Sequence, residues 1–298
     1  MPAGYHGRGM AGSRDPEPAR AFVPGHAAGF ATVDRHDDPT KAGARGAGLA
    51  LSAGVTVTVR PAEERSVELD GEPVDLDAVE RVLDTLEARV AVHGASDLPR
   101  GAGLGVSGGM ALGTALATNR ALDRGLSVNE LVTVAHGAEI QAGTGWGDVV
   151  GAARGGAPVR LEPGGPHENV VDAIPEPARV EYHVLGEAGS DTATGGSEAL
   201  PVAGDELTAA GERALSAVVR DPTLSTFMEA SRRFVRETGL LTDRARGVIE
   251  DVAAAGGSAT MTASGETVLA LGSGLSEAGY DAGACRLHPG ATVEEPVA

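Results

Sequence analysis

Ser107, Glu139 and Asp148 are three oxygen-bearing side chains: Ser107 in a glycine-rich loop, Gly101-Ala-Gly-Leu-Gly-Val-Ser-Gly-Gly109, Glu139 late in a capped helix, and Asp148 just after a second such loop, Gly143-Thr-Gly-Trp-Gly147. Phosphoryl transfer needs a phosphate cradle, a metal held by oxygen ligands, and a carboxylate to orient or deprotonate the attacking hydroxyl. The loop runs into the helix-prone stretch Met110 to Leu122, so it offers exposed N–H groups and the partial positive charge of a helix N-terminus. Ser107, at the mouth of this cradle, can give its hydroxyl to Mg²⁺. Glu139 and Asp148 can divide the roles of metal ligand and base. Plainer readings stand beside these: Glu139 as part of a solvated helix face, Asp148 as the cap of the next helix, and the loop as a turn with no ligand.

The loop fits two other motifs. Gly103-Leu-Gly105-Val-Ser-Gly108 has the spacing of a dinucleotide fold, and Gly105-Val-Ser107-Gly-Gly109 that of a nucleophile elbow. Both need a buried strand directly before the loop. The approach here, Gly94-Ala-Ser-Asp-Leu-Pro-Arg100, is polar and broken by Pro99, which reads as a poor strand.

Composition narrows the classes further. The chain has 298 residues, enough for one large or two modest domains, with 42 acidic residues against 24 basic ones and a formal charge of -18. Phosphate backbones are bound by clustered cations, so nucleic acid is not an expected partner. Lys41 is the only lysine, and Ala42 follows it, so there is no Walker lysine and no kinase strand lysine. One cysteine, Cys285, allows no intrachain disulfide, and there is no H-E-x-x-H or C-x-x-C, which leaves zinc unsupported. No apolar stretch is long enough for a membrane helix. The expectation is a cytoplasmic protein. The excess of acid over lysine suggests a salt-loaded cytoplasm, with a GC-rich genome as the alternative.

The elements that must hold these residues follow from periodicity. Residues 1–19 lack an apolar period and read as disordered. Arg20 to Pro24 and Gly29 to Val33 read as short strands, and Ala47 to Ser52 with Val55 to Val59 as a hairpin about Ala53-Gly54. Asp75 to Val92 shows helical spacing, and Ser127-Val-Asn-Glu130 is a capping box for a helix through Gln141. The expected division is an N-terminal domain over 20–162, a linker over 163–178 and a C-terminal α+β domain over 179–290. Three helices are expected around 206–219, 222–238 and 242–254, with a hairpin at Ser264-Gly265-Glu266 and a frayed end from His288.

Pro99 followed by Gly103-Leu-Gly-Val-Ser-Gly-Gly109 resembles the phosphate-loop signature of the GHMP kinases, departing at Val106, where that family usually has a serine. Ala255-Gly-Gly-Ser-Ala259 looks like a reduced form of the family's third motif. Within the family, Ala21-Phe-Val-Pro-Gly-His-Ala-Ala-Gly-Phe30, Gly43-Ala-Arg-Gly-Ala-Gly48 and Gly143-Thr-Gly-Trp-Gly-Asp148-Val-Val are similar to the archaeal members that phosphorylate pantoate in coenzyme A synthesis.

The resemblance implies an α+β, two-domain GHMP kinase fold. Its N-terminal domain is like the second domain of a small-subunit ribosomal protein, its C-terminal domain is ferredoxin-like, and the site lies between them. It further implies that Gly103, Leu104, Gly105, Val106, Ser107, Gly108 and Gly109 hold the phosphates of ATP, that Ser107 and Glu139 hold Mg²⁺, and that Asp148 serves the pantoate hydroxyl. The pantoate carboxylate needs a cation or donors. His26 and Arg45 are the candidates, with pairing of Arg45 to an acidic neighbour as the alternative. His136 faces a helix interior by spacing and reads as core. A homodimer stays open.

Three other readings compete. One is a GHMP kinase for homoserine or mevalonate. Another is a serine hydrolase with Ser107 as nucleophile and Asp172 and His183 as partners. The last is a binder that keeps the fold without catalysis.

Overall fold

The computed structural model describes residues 16–186 and 205–294, so most of the stretch expected to be disordered lies outside the described residues. The chain opens with two long antiparallel strands, β1 (Ala19–Asp34) and β2 (Gly43–Pro61). A short hairpin follows, β3 (Ser66–Leu69) and β4 (Glu72–Pro73), then helix α1 (Asp77–Thr85) and strand β5 (Val90–Ser96). Helices α2 (Val106–Ala121), α3 (Val128–Ala142) and α4 (Asp148–Arg154) come next. Three strands, β6 (Ala157–Arg160), β7 (Val171–Ile174) and β8 (Arg179–Val184), precede helices α5 (Asp205–Arg220), α6 (Leu224–Glu237) and α7 (Asp243–Ala254). The last elements are β9 (Ala259–Met261), β10 (Thr267–Leu271), α8 (Gly274–Glu277), β11 (Gly283–Arg286) and β12 (Thr292–Glu294).

These strands form two sheets. The first runs β12-β1-β2-β5-β3-β4, with β6 on β2 and β7 on β6; the second is antiparallel, β11-β8-β10-β9. One cluster of buried side chains passes through both. No helix among the described residues is long and apolar enough to cross a membrane.

β2 owes its length to pattern. Val55, Val57 and Val59 are buried and alternate with threonines, which is the period of a half-buried strand. The expected hairpin at Ala53-Gly54 is absent, because β2 continues through it, with Ser52 and Ala53 as extra residues at a register shift opposite Pro24 and Gly25. β1 likewise joins the two short runs expected, bending at register shifts between Pro24 and Gly25 and between Ala28 and Phe30. The expected helix to Val92 stops at Thr85. Glu87 takes φ +47°, Ala88 N–H closes on Leu83 O, and Val90 and Val92 then enter β5 as buried alternating residues. The approach to the glycine-rich loop is therefore strand as far as Ser96 and irregular from Asp97 to Arg100.

Two further boundaries differ from expectation. β7 lies inside the expected linker and pairs with β6, and β12 lies beyond residue 290, where it pairs with β1 at Arg20 to Phe22. The three expected helices of the second half are α5, α6 and α7. Of these, α5 and α6 pack on β1, where Phe30 meets Phe227 and Phe234 at centroid distances of 6.1 and 6.5 Å.

Phe227 is fully buried, and its ring lies where a Cβ on Gly29 would stand. Phe227→Ala should lower unfolding stability by about 3–5 kcal/mol, measured by urea titration at fixed salt.

Candidate active site

The phosphate loop is held by main-chain contact with β1. His26 N–H donates to Leu104 O at 3.0 Å, and a Cβ on Gly105 would lie 2.9 Å from His26 N. Gly103 and Gly105 have φ of +74° and +77°, a region that favours glycine. Gly105 is the N-cap of α2, no side chain caps that end, and its first turn carries no acid. The first N–H groups of α2 therefore point out of the loop toward whatever anion lies there. Because α2 starts at Val106, four residues before the stretch expected to be helical, Ser107 belongs to its first turn.

Ser107 Oγ donates to Glu139 Oε1 at 2.7 Å, and Glu139 is only 2% exposed, so it is no solvated face. Burial pushes its carboxyl up to about 7; the Ser107 hydrogen bond opposes this and the negative charge of Asp148 adds to it. Asp148 is the first residue of α4, after Gly147 as cap. Its Oδ1 accepts from His26 Nδ1–H at 2.7 Å. Burial raises the Asp148 carboxyl, but the His26 hydrogen bond and the charges of His26 and Arg160 outweigh it, and the result lies below the usual value. Gly145 stands between the two carboxylates: a Cβ there would be 2.6 Å from Glu139 Oε2 and 3.6 Å from Asp148 Oδ2.

Arg160, at the end of β6, is the site residue that the sequence reading missed. It is 4% exposed, its Nη1 has no hydrogen-bond partner among the described residues, and it rests on Gly147, where a Cβ would be 1.4 Å from Nη1. Burial lowers its pKa and the charge of Asp148 opposes that. The signal was available as a lone arginine inside the apolar run Ala157-Pro-Val-Arg-Leu161. His136 is buried as expected; its Nε2–H donates to Ala42 O at 2.8 Å, and burial lowers its pKa to about 4, so it stays neutral beside Arg160 and Asp148.

The two carboxylate-binding candidates have acidic partners within the chain. Arg45 is ion-paired to Asp34 and Glu212 at 3.2 and 3.3 Å, the plainer of its two readings. It precedes Gly46, the residue opposite Arg160, so its side chain leaves the other face of β2, toward α5. His26 is 1% exposed; its Nδ1 is committed to Asp148 and its Nε2 is buried against Gly48 and Gly151. The expected third motif is also displaced. Residues 255–259 pack at the end of α7, whereas the β9–β10 turn reaches the phosphate loop: Thr267 Oγ donates to Ala102 O at 2.7 Å, and Ser264 O lies 1.7 Å from where a Cβ on Gly103 would be. A hydrolase triad is not assembled. Ser107 donates to a carboxylate, His183 Nδ1–H donates to Asp281 O on the second sheet, and Asp172 is exposed on β7.

A family model described as the GHMP kinases N terminal domain matches residues 74–156, which hold α1 through α4. The chain is 34% identical over 236 residues to the pantoate kinase of Thermococcus kodakarensis, covering 74% of this chain and 76% of that protein. Against the pantoate kinase of Methanocaldococcus jannaschii it is 30% identical over 237 residues, 78% of this chain and 84% of that one. The chain belongs to the pantoate kinase family of GHMP kinases. A solved structure described as a phosphotransferase related to the CoA biosynthesis pathway superposes with a TM-score of 0.82 at 28% identity, over 93% of this chain and 99% of the other. As a GHMP kinase, the chain needs no Walker lysine, and the family accounts for an anion cradle built from main chain.

Glu139 provides a pH test that needs no substrate. Its folded pKa of about 7 exceeds the ordinary 4.5, so it contributes stability below the unfolded value that is lost as pH rises through 7. In protein freed of divalent cations, the stability gained by Glu139→Gln should grow by about 3 kcal/mol between about pH 4.5 and pH 8, read by urea unfolding.

Proposed function

We propose that this chain transfers the γ-phosphoryl group of ATP to the primary hydroxyl of pantoate, giving 4-phosphopantoate and ADP. The observation that carries the reading is the buried Arg160 guanidinium, with a nitrogen unpartnered, beside the ionised Asp148. A hydroxy acid presents a carboxylate and a hydroxyl a few bonds apart, and this pair answers both. Arg160 offers a planar fork to the carboxylate and Asp148 an acceptor to the hydroxyl. Membership of the pantoate kinase family supports the same substrate.

The N–H groups of Gly103 to Gly109 and the α2 N-terminus would hold the β- and γ-phosphates. Asp148 aligns the pantoate hydroxyl. As the hydroxyl oxygen bonds to the γ-phosphorus and the bond to the bridging oxygen of ADP breaks, the hydroxyl proton passes to the Asp148 carboxylate. Positioning carries most of the catalysis.

Ser107 and Glu139 fit a hard divalent cation. Both donors are oxygens, and the buried Glu139 carboxyl, whose strongest charged neighbour is another acid, is one that a cation would keep ionised. Among the described residues no three His, Cys, Asp or Glu side chains form a metal cluster, consistent with Mg²⁺ that takes its remaining ligands from phosphate and water. Bound Mg²⁺ supplies charge neutralisation on the transferring group.

Purified protein in molar KCl with Mg²⁺ and ATP should consume nucleotide with pantoate and not with homoserine or mevalonate, and mass spectrometry should show the phosphorylated acid. Turnover with another alcohol alone overturns the substrate. Asp148→Asn and Ser107→Ala should abolish turnover in folded protein. Arg160→Ala should raise the KM for pantoate by about two orders of magnitude with little change for ATP. Equal effects on both KM values remove Arg160 from carboxylate binding.

A further inference from the structure

His26 is pinned at two points. Its backbone N–H is tied to Leu104 O in the phosphate loop and its Nδ1–H to Asp148 Oδ1, so one residue joins the cradle to the carboxylate. Its other ring nitrogen, Nε2, is buried with no partner. Two glycines wall that nitrogen, one on each of two elements. A Cβ on Gly48 of β2 would lie 2.5 Å from Nε2, and a Cβ on Gly151 of α4 would lie 2.3 Å from it. The imidazole therefore occupies a slot that only glycine leaves open.

This slot selects a tautomer. A proton on Nε2 would be a buried donor with no acceptor, whereas a bare lone pair there is the milder deficit. The Nδ1 proton, by contrast, has a carboxylate at 2.7 Å. Other groups act on Asp148 from two sides, Arg160 on β6 and Glu139 and His136 on α3, but among these and His26 only the His26 side chain is hydrogen-bonded to it.

We propose that His26 is a positioning residue: an imidazole that donates from Nδ1 and is locked between Gly48 and Gly151, so that it fixes the Asp148 carboxylate in one orientation toward the acceptor hydroxyl. It touches neither substrate nor nucleotide and acts only through Asp148. The inference rests on the reading of Asp148 given above. It also accounts for two glycines that the phosphate loop leaves unexplained.

Two measurements test it. Long-range ¹H–¹⁵N correlation on the parent protein should show the neutral form of the His26 ring as the Nδ1–H tautomer. An Nε2–H tautomer overturns the proposal, whatever the substrate proves to be. In turnover with pantoate, His26→Asn places an amide N–H near the position of Nδ1 and should keep kcat within about tenfold of the parent. His26→Leu should lose at least about a hundredfold in kcat, with the KM for ATP within about threefold. Equal losses in the two folded variants overturn the positioning role. A parent protein inactive on pantoate removes the kinase reading instead, and leaves the tautomer measurement standing as a separate result.

Discussion

The close approach of α2 to the β1–β2 ribbon sets the rest of the site. A Cβ on Gly109 would be 2.9 Å from Val55 Cγ2, and one on Gly113 would be 2.5 Å from Val57 Cγ2, so the helix lies against the valine face of β2 with nothing between. Thirteen of its residues are buried, from Val106 to Ala121, and most are small. A helix buried on all sides has its N-terminus fixed by packing and needs no side-chain cap. That is how the cradle can keep its N–H groups free for a ligand: a capped helix would have used them.

The two carboxylates then differ because of what each packs against. Glu139 comes from the middle of the chemistry, a buried helix position whose partners are a hydroxyl and another acid. Asp148 sits at a helix start with an imidazole and a guanidinium for neighbours. Burial drives both toward the neutral form; at Asp148 the His26 hydrogen bond and the charge of Arg160 outweigh it, and at Glu139 the Ser107 hydrogen bond does not. The glycines of the 143–147 loop make this possible, since Gly145 and Gly147 let the main chain pass between the acids and against Arg160.

Much of this was legible in the sequence, for reasons that differ by residue. Ser107, Glu139 and Asp148 stand out in the sequence because each is an oxygen-bearing side chain at a glycine-rich loop or in a capped helix, and the Ser127–Glu130 capping box forms as the spacing implies. The β-branched alternation at Val55 to Val59 gave β2 its core, but not its length, since no local signal says that Ala53-Gly54 will continue rather than turn. The helix over 75–92 was overread because apolar spacing carried on past Leu86, while the left-handed Glu87 that ends it is invisible to periodicity. Arg45 and His26 were misjudged because strand parity and long-range partners decide them: Glu212 and Asp148 lie 167 and 122 residues away in the chain. Arg160 was missed for the opposite reason, as a single charge in a short apolar strand looks like noise until the fold puts Gly147 under it.

The pairing of β12 with β1 bears on how the molecule is made. Arg20 to Phe22 find their outer partners at Thr292 to Glu294, about 270 residues later. Contacts this distant are slow to close, and a strand edge waiting for them is open to pairing with other chains. During synthesis the outer edge of β1 stays bare until Thr292 to Glu294 have emerged. The strand that carries His26 is therefore made long before it is sealed, which leaves the nascent chain open to aggregation at that strand.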